Sequence, residues 1–120
     1  MKILLIEDNE LNLDMLSRRL ERKGFTIISA TDGVAGIEKA NKENPELIIM
    51  DLSLPILNGW DAAKKLKGEI ATKSIPIIAL TAHAMKGDKQ KALNAGCDEY
   101  DTKPVDFDRL LGKIGKVTGT

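Results

Sequence analysis

Five short, mostly apolar runs punctuate the chain. Each is followed by a stretch whose apolar residues recur every three or four positions. The runs predict strands over residues 2–7, 25–30, 47–51, 75–80 and, more weakly, 98–101. Between them the spacing predicts helices. Leu13, Leu16 and Leu20 share one face of a helix that stops near Gly24. Val34, Ile37 and Ala40 mark a second, capped by Thr31 or Asp32 and finished before Pro45. A third covers about 58–67, around Trp60, Ala63 and Leu66. A fourth, over about 84–95, ends at Gly96 and has a weak stripe of Met85, Ala92, Leu93 and Ala95. The fifth carries Phe107, Leu110, Leu111, Ile114 and Val117, the clearest helical stripe in the sequence. Residues 115–120 read as a frayed end.

Strict alternation of strand and helix implies an α/β fold: a five-stranded parallel sheet, doubly wound, with helices on both faces. Right-handed crossovers leave few strand orders. Such sheets bind ligands beyond the carboxyl ends of their strands, where the winding direction reverses. Polar residues collect at those ends. Glu7-Asp8 follows the first run, Asp51 closes the third, Thr81 follows the fourth, and Lys103 lies just past the fifth. In the order 2-1-3-4-5 the reversal falls between strands 1 and 3, which carry the acids.

Size and composition narrow the rest. The 120 residues suffice for one domain, 1–120, with no linker or repeat. Lys and Arg total 18, as do Asp and Glu, so the formal net charge is zero. That balance argues against nonspecific nucleic-acid binding, which needs a basic surface. A single cysteine, Cys97, suits a reducing compartment and reads as a small buried hydrophobe. No stretch is apolar for long enough to be a membrane span or signal peptide, so the expected location is cytoplasmic.

The charges at the strand ends carry the chemistry. Glu7, Asp8 and Asp51 bring three negative charges and Lys103 returns one. Two carboxylates about 4 Å apart repel by roughly 4 kcal/mol at an effective dielectric near 20. Such a group takes up a proton or binds a cation. Oxygen ligands of net charge minus two favour Mg2+, with Mn2+ as the alternative. A carboxylate beside a lysine and a hydroxyl suits phosphoryl transfer, because the incoming group has three anionic oxygens to neutralise. Asp51 stands alone on the middle strand and is the candidate nucleophile. Taken singly, Asp51 reads as a turn cap before Pro55 and Lys103 as a solvated loop lysine. The ordered set carries the functional reading.

That set resembles the receiver domain of bacterial two-component response regulators over nearly the whole chain. The matching residues are Glu7-Asp8, Met50-Asp51-Leu52-Ser53-Leu54-Pro55 with Asn58-Gly59, Thr81-Ala82 and Lys103-Pro104. The resemblance implies a flavodoxin-like fold, supplies the order 2-1-3-4-5, and identifies Asp51 as the phosphoacceptor. Its donor would be a phosphohistidine on a sensor histidine kinase or a histidine phosphotransfer protein. Asp8, Asp51 and the backbone carbonyl of Ser53 would ligate Mg2+ directly, with Glu7 acting mainly through water. Lys103 would pair with the phosphoryl group, Thr81 would move toward it, and Tyr100 would turn inward as a switch. Lys103-Pro104 would be a cis bond. Ser53 and His83 occupy positions that influence phosphoryl lifetime. The stretch 82–88 is similar to single-domain, chemotaxis-regulator-like and cell-cycle phosphorelay members. The first acid is Glu7 where many members have aspartate, so metal affinity is expected to differ.

The implied function is a stand-alone phospho-switch whose fourth helix, fifth strand and fifth helix form the face for a downstream effector protein. It would catalyse only its own phosphorylation and dephosphorylation. Three alternatives remain. A receiver excised from a longer response regulator or hybrid kinase would look the same. An aspartate-nucleophile phosphatase usually has a second acid where this chain has Ser53. A flavin-dependent electron carrier would need more than 3% aromatic residues and a less acidic first loop.

Overall fold

A computed structural model describes residues 1–52, 54, 57–82 and 88–119. Strands and helices alternate: β1 Lys2–Ile6, α1 Glu10–Arg22, β2 Thr26–Ala30, α2 Gly33–Glu43, β3 Leu47–Asp51, α3 Gly59–Gly68, β4 Ile77–Thr81, α4 Asp88–Asn94, β5 Glu99–Thr102 and α5 Phe107–Thr118. The strands form one sheet in the order β2-β1-β3-β4-β5, and every pairing is parallel. This is the doubly wound architecture expected from the apolar pattern. Among the described residues, no helix is long and apolar enough to cross a membrane.

Successive side chains of a strand point to opposite faces, so each central strand divides its residues between two cores. Ile3, Leu5, Leu47, Ile49, Ile78 and Leu80 face one way and pack with Leu20 of α1 and Leu110 and Ile114 of α5. Leu4, Ile6, Ile48, Met50, Ile77 and Ala79 face the other way, toward Ile37 of α2, Ala62 and Leu66 of α3, and Ala92 of α4. Both faces are therefore dry, which is why the central strands are nearly unbroken apolar runs.

Side chains set the helix starts. Asn9, Asp32, Asn58 and Asp106 each accept a hydrogen bond from the backbone N–H three residues on. Two expectations shift. Val34 belongs to the stripe of α2 by spacing, yet it is 43% exposed while Ile37 and Ala40 are buried. The chain end is not frayed from residue 115, since α5 runs to Thr118 and closes on Gly119 in the left-handed region. Packing explains the second shift: Ile114 is buried, and Val117 lies against the same core. Half of the predicted α4 stripe is seen, with Ala92 and Ala95 buried; Leu93 is exposed, and Met85 lies outside the described residues.

Candidate functional site

Strand register brings the polar ends together. Asp51 is the last residue of β3, level with Leu80 in β4, and Thr81 pairs with Thr102 of β5. The ladder continues one step further, because the Lys103 N–H donates to the Thr81 carbonyl at 2.7 Å. That bond holds the Lys103 backbone beside the end of β4. On the other side, the Glu7 N–H donates to the Ala30 carbonyl at 3.0 Å and continues β1 along β2. The Lys103–Pro104 peptide bond is cis.

Glu7, Asp8 and Asp51 each present a carboxylate oxygen, and these oxygens lie within 4.8 Å of one another. Glu7 and Asp51 are 4% and 5% exposed, whereas Asp8 is open to solvent. The Lys103 ammonium reaches both buried acids, with Nζ 2.8 Å from Asp51 Oδ2 and 2.9 and 3.0 Å from the two oxygens of Glu7. An ammonium has three protons, and three acceptors surround this one. Asn12, in the first turn of α1, donates its side-chain amide to Glu7 Oε1 at 3.2 Å.

The electrostatics follow from this crowding. Burial, together with a hydrogen bond to Asp51, raises the Glu7 carboxyl to about 7, and the Lys103 contact only partly offsets the rise. Burial works against the Lys103 charge, but hydrogen bonds to Asp51 and Glu7 outweigh it and move its pKa up. The ammonium therefore stays charged, while the cluster retains an unmet demand for positive charge. A hard divalent cation with oxygen ligands meets that demand, and the donor set of Glu7, Asp8 and Asp51 fits one.

Close packing shapes the surroundings. A Cβ added to Gly59, the first residue of α3, would stand 2.6 Å from the Asp51 carbonyl oxygen and 2.5 Å from Leu52 Cα. Only glycine lets α3 start this near the acidic strand end. Trp60 packs against the core beneath, and Lys91 of α4 sits over its ring at 4.7 Å. Tyr100 on β5 is buried in the same core, level with Ala79. Beside Lys103, a groove of about 440 Å³ opens between α1 and the segment that follows β5, lined by Glu7, Asn12, Met15, Ala82, Lys103 and Val105 among others.

Glu7, Asp8, Asp51 and Lys103 thus come together in space, and Thr81 closes the adjacent strand. Ser53 and His83 lie outside the described residues. The sequence reading overlooked Asn12. Its one available signal was a polar residue between Leu11 and Leu13 on the first turn after the acidic pair.

Fold and acidic cluster together define a receiver-type α/β domain whose site is compatible with magnesium and phosphoryl acceptance. The chain belongs to the response regulator receiver domain family, whose model matches residues 3–115. It is 35% identical over 117 residues to the polar-differentiation response regulator DivK of Brucella ovis, covering 98% of this chain and 95% of the relative. Among solved structures, it resembles the receiver domain of sensor histidine kinase PA1611 from Pseudomonas aeruginosa, which has a magnesium ion coordinated in its active site cleft. That match has TM-score 0.91 and 32% identity over 99% of this chain and 98% of the other. It also resembles a chain in the co-crystal structure of the Saccharomyces cerevisiae phosphotransfer protein Ypd1 with the receiver domain of Ssk1. There the TM-score is 0.89 and the identity 32%, over 99% of this chain and 89% of the other.

Proposed function

We propose that residues 1–120 form one receiver domain that accepts a phosphoryl group on Asp51 from the phosphohistidine of a sensor histidine kinase or a histidine phosphotransfer protein. The observation that carries this reading is a buried Asp51 bonded to Lys103 inside a three-carboxylate cluster. A carboxylate oxygen of Asp51 attacks phosphorus, forming a P–O bond as the P–N bond to the donor imidazole breaks. The imidazole leaves with that electron pair, and solvent protons restore its neutral form. Lys103 turns from the carboxylates to an oxygen of the transferred group, and the Thr81 hydroxyl donates to another. Glu7, Asp8, Asp51 and the Ser53 carbonyl would hold Mg2+, or Mn2+ in its place, and the bound ion supplies charge neutralisation. Ser53 and His83 tune how long the acyl phosphate survives.

The conversion adds about one negative charge and three acceptor oxygens at the end of β3. Thr81 responds first, Tyr100 then repacks, and the face made by α4, β5 and α5 changes its fit to an effector protein. The groove beside Lys103 supports a protein donor, since Met15 on its rim and Leu11 nearby are 58% and 81% exposed. The domain works in the cytoplasm, catalyses only its own phosphorylation and dephosphorylation, and binds neither nucleic acid nor membrane. Intact-mass measurement after incubation with magnesium and a small phosphoryl donor tests the central step. The wild-type chain gains one phosphoryl group and Asp51→Asn gains none; equal labelling of both would overturn the assignment.

A further inference from the structure

Glu7 has one more methylene than an aspartate, so its carboxylate needs a reason to stay in one place. Its backbone is tied to Ala30, and its tip is held by Lys103, by the side-chain amide of Asn12 and by a hydrogen bond shared with Asp51. Asn12 does not cap α1. Asn9 is the cap, and it accepts from the backbone N–H of Asn12 at 3.0 Å. The Asn12 side chain is therefore free to act on Glu7 from a position that the helix start already fixes. Glu7 in turn receives two of the three hydrogen bonds that Lys103 makes to carboxylates.

We infer that Asn12 is a positioning residue for this site. Its amide orients Glu7, and through Glu7 it sets where the Lys103 ammonium rests and how well the acidic cluster is arranged to take a cation. The role of Lys103 in phosphoryl transfer rests on the function proposed above, but the Asn12–Glu7–Lys103 relay itself does not. Ordering a long acidic side chain in advance removes part of the conformational cost of using it.

The role separates cleanly from folding. Asn12→Ala leaves the Asn9 cap intact, because the capped group is backbone, and alanine is the better helix former. The variant should melt at or slightly above the wild-type temperature. In the metal-free protein labelled with 15N-lysine, exchange of the Lys103 ammonium protons with water should quicken by about three- to tenfold, the change that one modest hydrogen bond corresponds to. Calorimetric affinity for Mg2+ should weaken by a factor in the same range. The double-mutant cycle decides the matter: in a Glu7→Ala background, Asn12→Ala should alter neither quantity. Equal effects in both backgrounds, or none in the wild-type background, would overturn the inference. Asp51 labelling reads the proposed function separately, so either conclusion can fail without the other.

Discussion

Two clusters built around buried acids lie on the same sheet, and they have opposite charge balances. At the carboxyl ends of β1 and β3, three carboxylates face one ammonium. At the edge, Glu99 and Asp101 of β5 face Arg109, Lys113 and Lys116 of α5. Burial acts against the charge of Glu99, yet hydrogen bonds from the Tyr100 N–H and Lys116, together with the charge of Lys113, bring its pKa below the usual value. Burial acts on Glu7 in the same direction and there it prevails, giving about 7. Burial alone therefore does not set the direction of the shift; what differs is whether the chain supplies enough cation. The edge cluster is complete as a brace between β5 and α5, although among the described residues Asp101 Oδ2 lacks a hydrogen-bond partner. The cluster at the strand ends is short of positive charge and is arranged to receive it from outside.

Removing one lysine from each cluster should separate the two most strongly. Lys103→Met should slow phosphoryl gain by about 10²–10³-fold, the usual cost of losing one preorganised charge-stabilising donor. Lys116→Met, which removes an exposed partner of Glu99, should leave the rate within about twofold. Time-resolved intact mass reads both, and a comparable loss in the second variant would erase the distinction between the clusters. Magnesium should stabilise only through the first cluster. At a free concentration of 100 Kd the gain is about 2.7 kcal/mol, seen as a higher melting temperature that a chelator reverses. Asp51→Asn should remove most of that gain, whereas Arg109→Met should keep it.

Arg109→Met tests the edge cluster directly. Asp101 is 3% exposed, and Arg109 donates to its Oδ1 at 2.8 Å. Without that donor the buried acid is poorly satisfied, and urea denaturation should show a loss of about 1–3 kcal/mol. Proton linkage gives the smallest effect. Folding raises the Glu7 pKa from 4.5 to about 7, so the folded state holds that proton more tightly. The resulting stabilisation is full below about 4.5 and is lost as pH rises through about 7. At about 1.4 kcal/mol per pKa unit the full shift corresponds to about 3 kcal/mol, and solvent on the open side of the cluster screens part of it, so metal-free protein should lose on the order of 1–2 kcal/mol across that window, and Glu7→Gln should flatten the slope. Glu99 has the opposite sign, because its pKa is lowered: its contribution is present above 4.5 and lost as the solution is acidified further.

Much of this molecule was legible in the linear chain. The apolar runs announced the strands because both faces of a parallel sheet must be dry, and Thr31-Asp32 announced the start of α2 because capping is a local interaction. The site was legible only as a set of residues at strand ends. Their arrangement in space was not, since it depends on register between strands far apart in sequence, such as Glu7 with Lys103. Val34 misled because spacing reports a helical face without saying how wide the covered stripe is. The end of α5 misled because two glycines, Gly112 and Gly115, weaken local helix propensity, while Ile114 and Val117 recover it through packing.

Local pattern and composition were enough to fix the layering, the polar endings of the strands and the surplus of acid over base among them. Which carboxylates share the Lys103 ammonium, the reach of Asn12 to Glu7, and the neutralisation of the buried β5 acids by α5 came from the folded arrangement. Those are matters of distance, and distance between remote residues is set by the register and packing of the whole sheet.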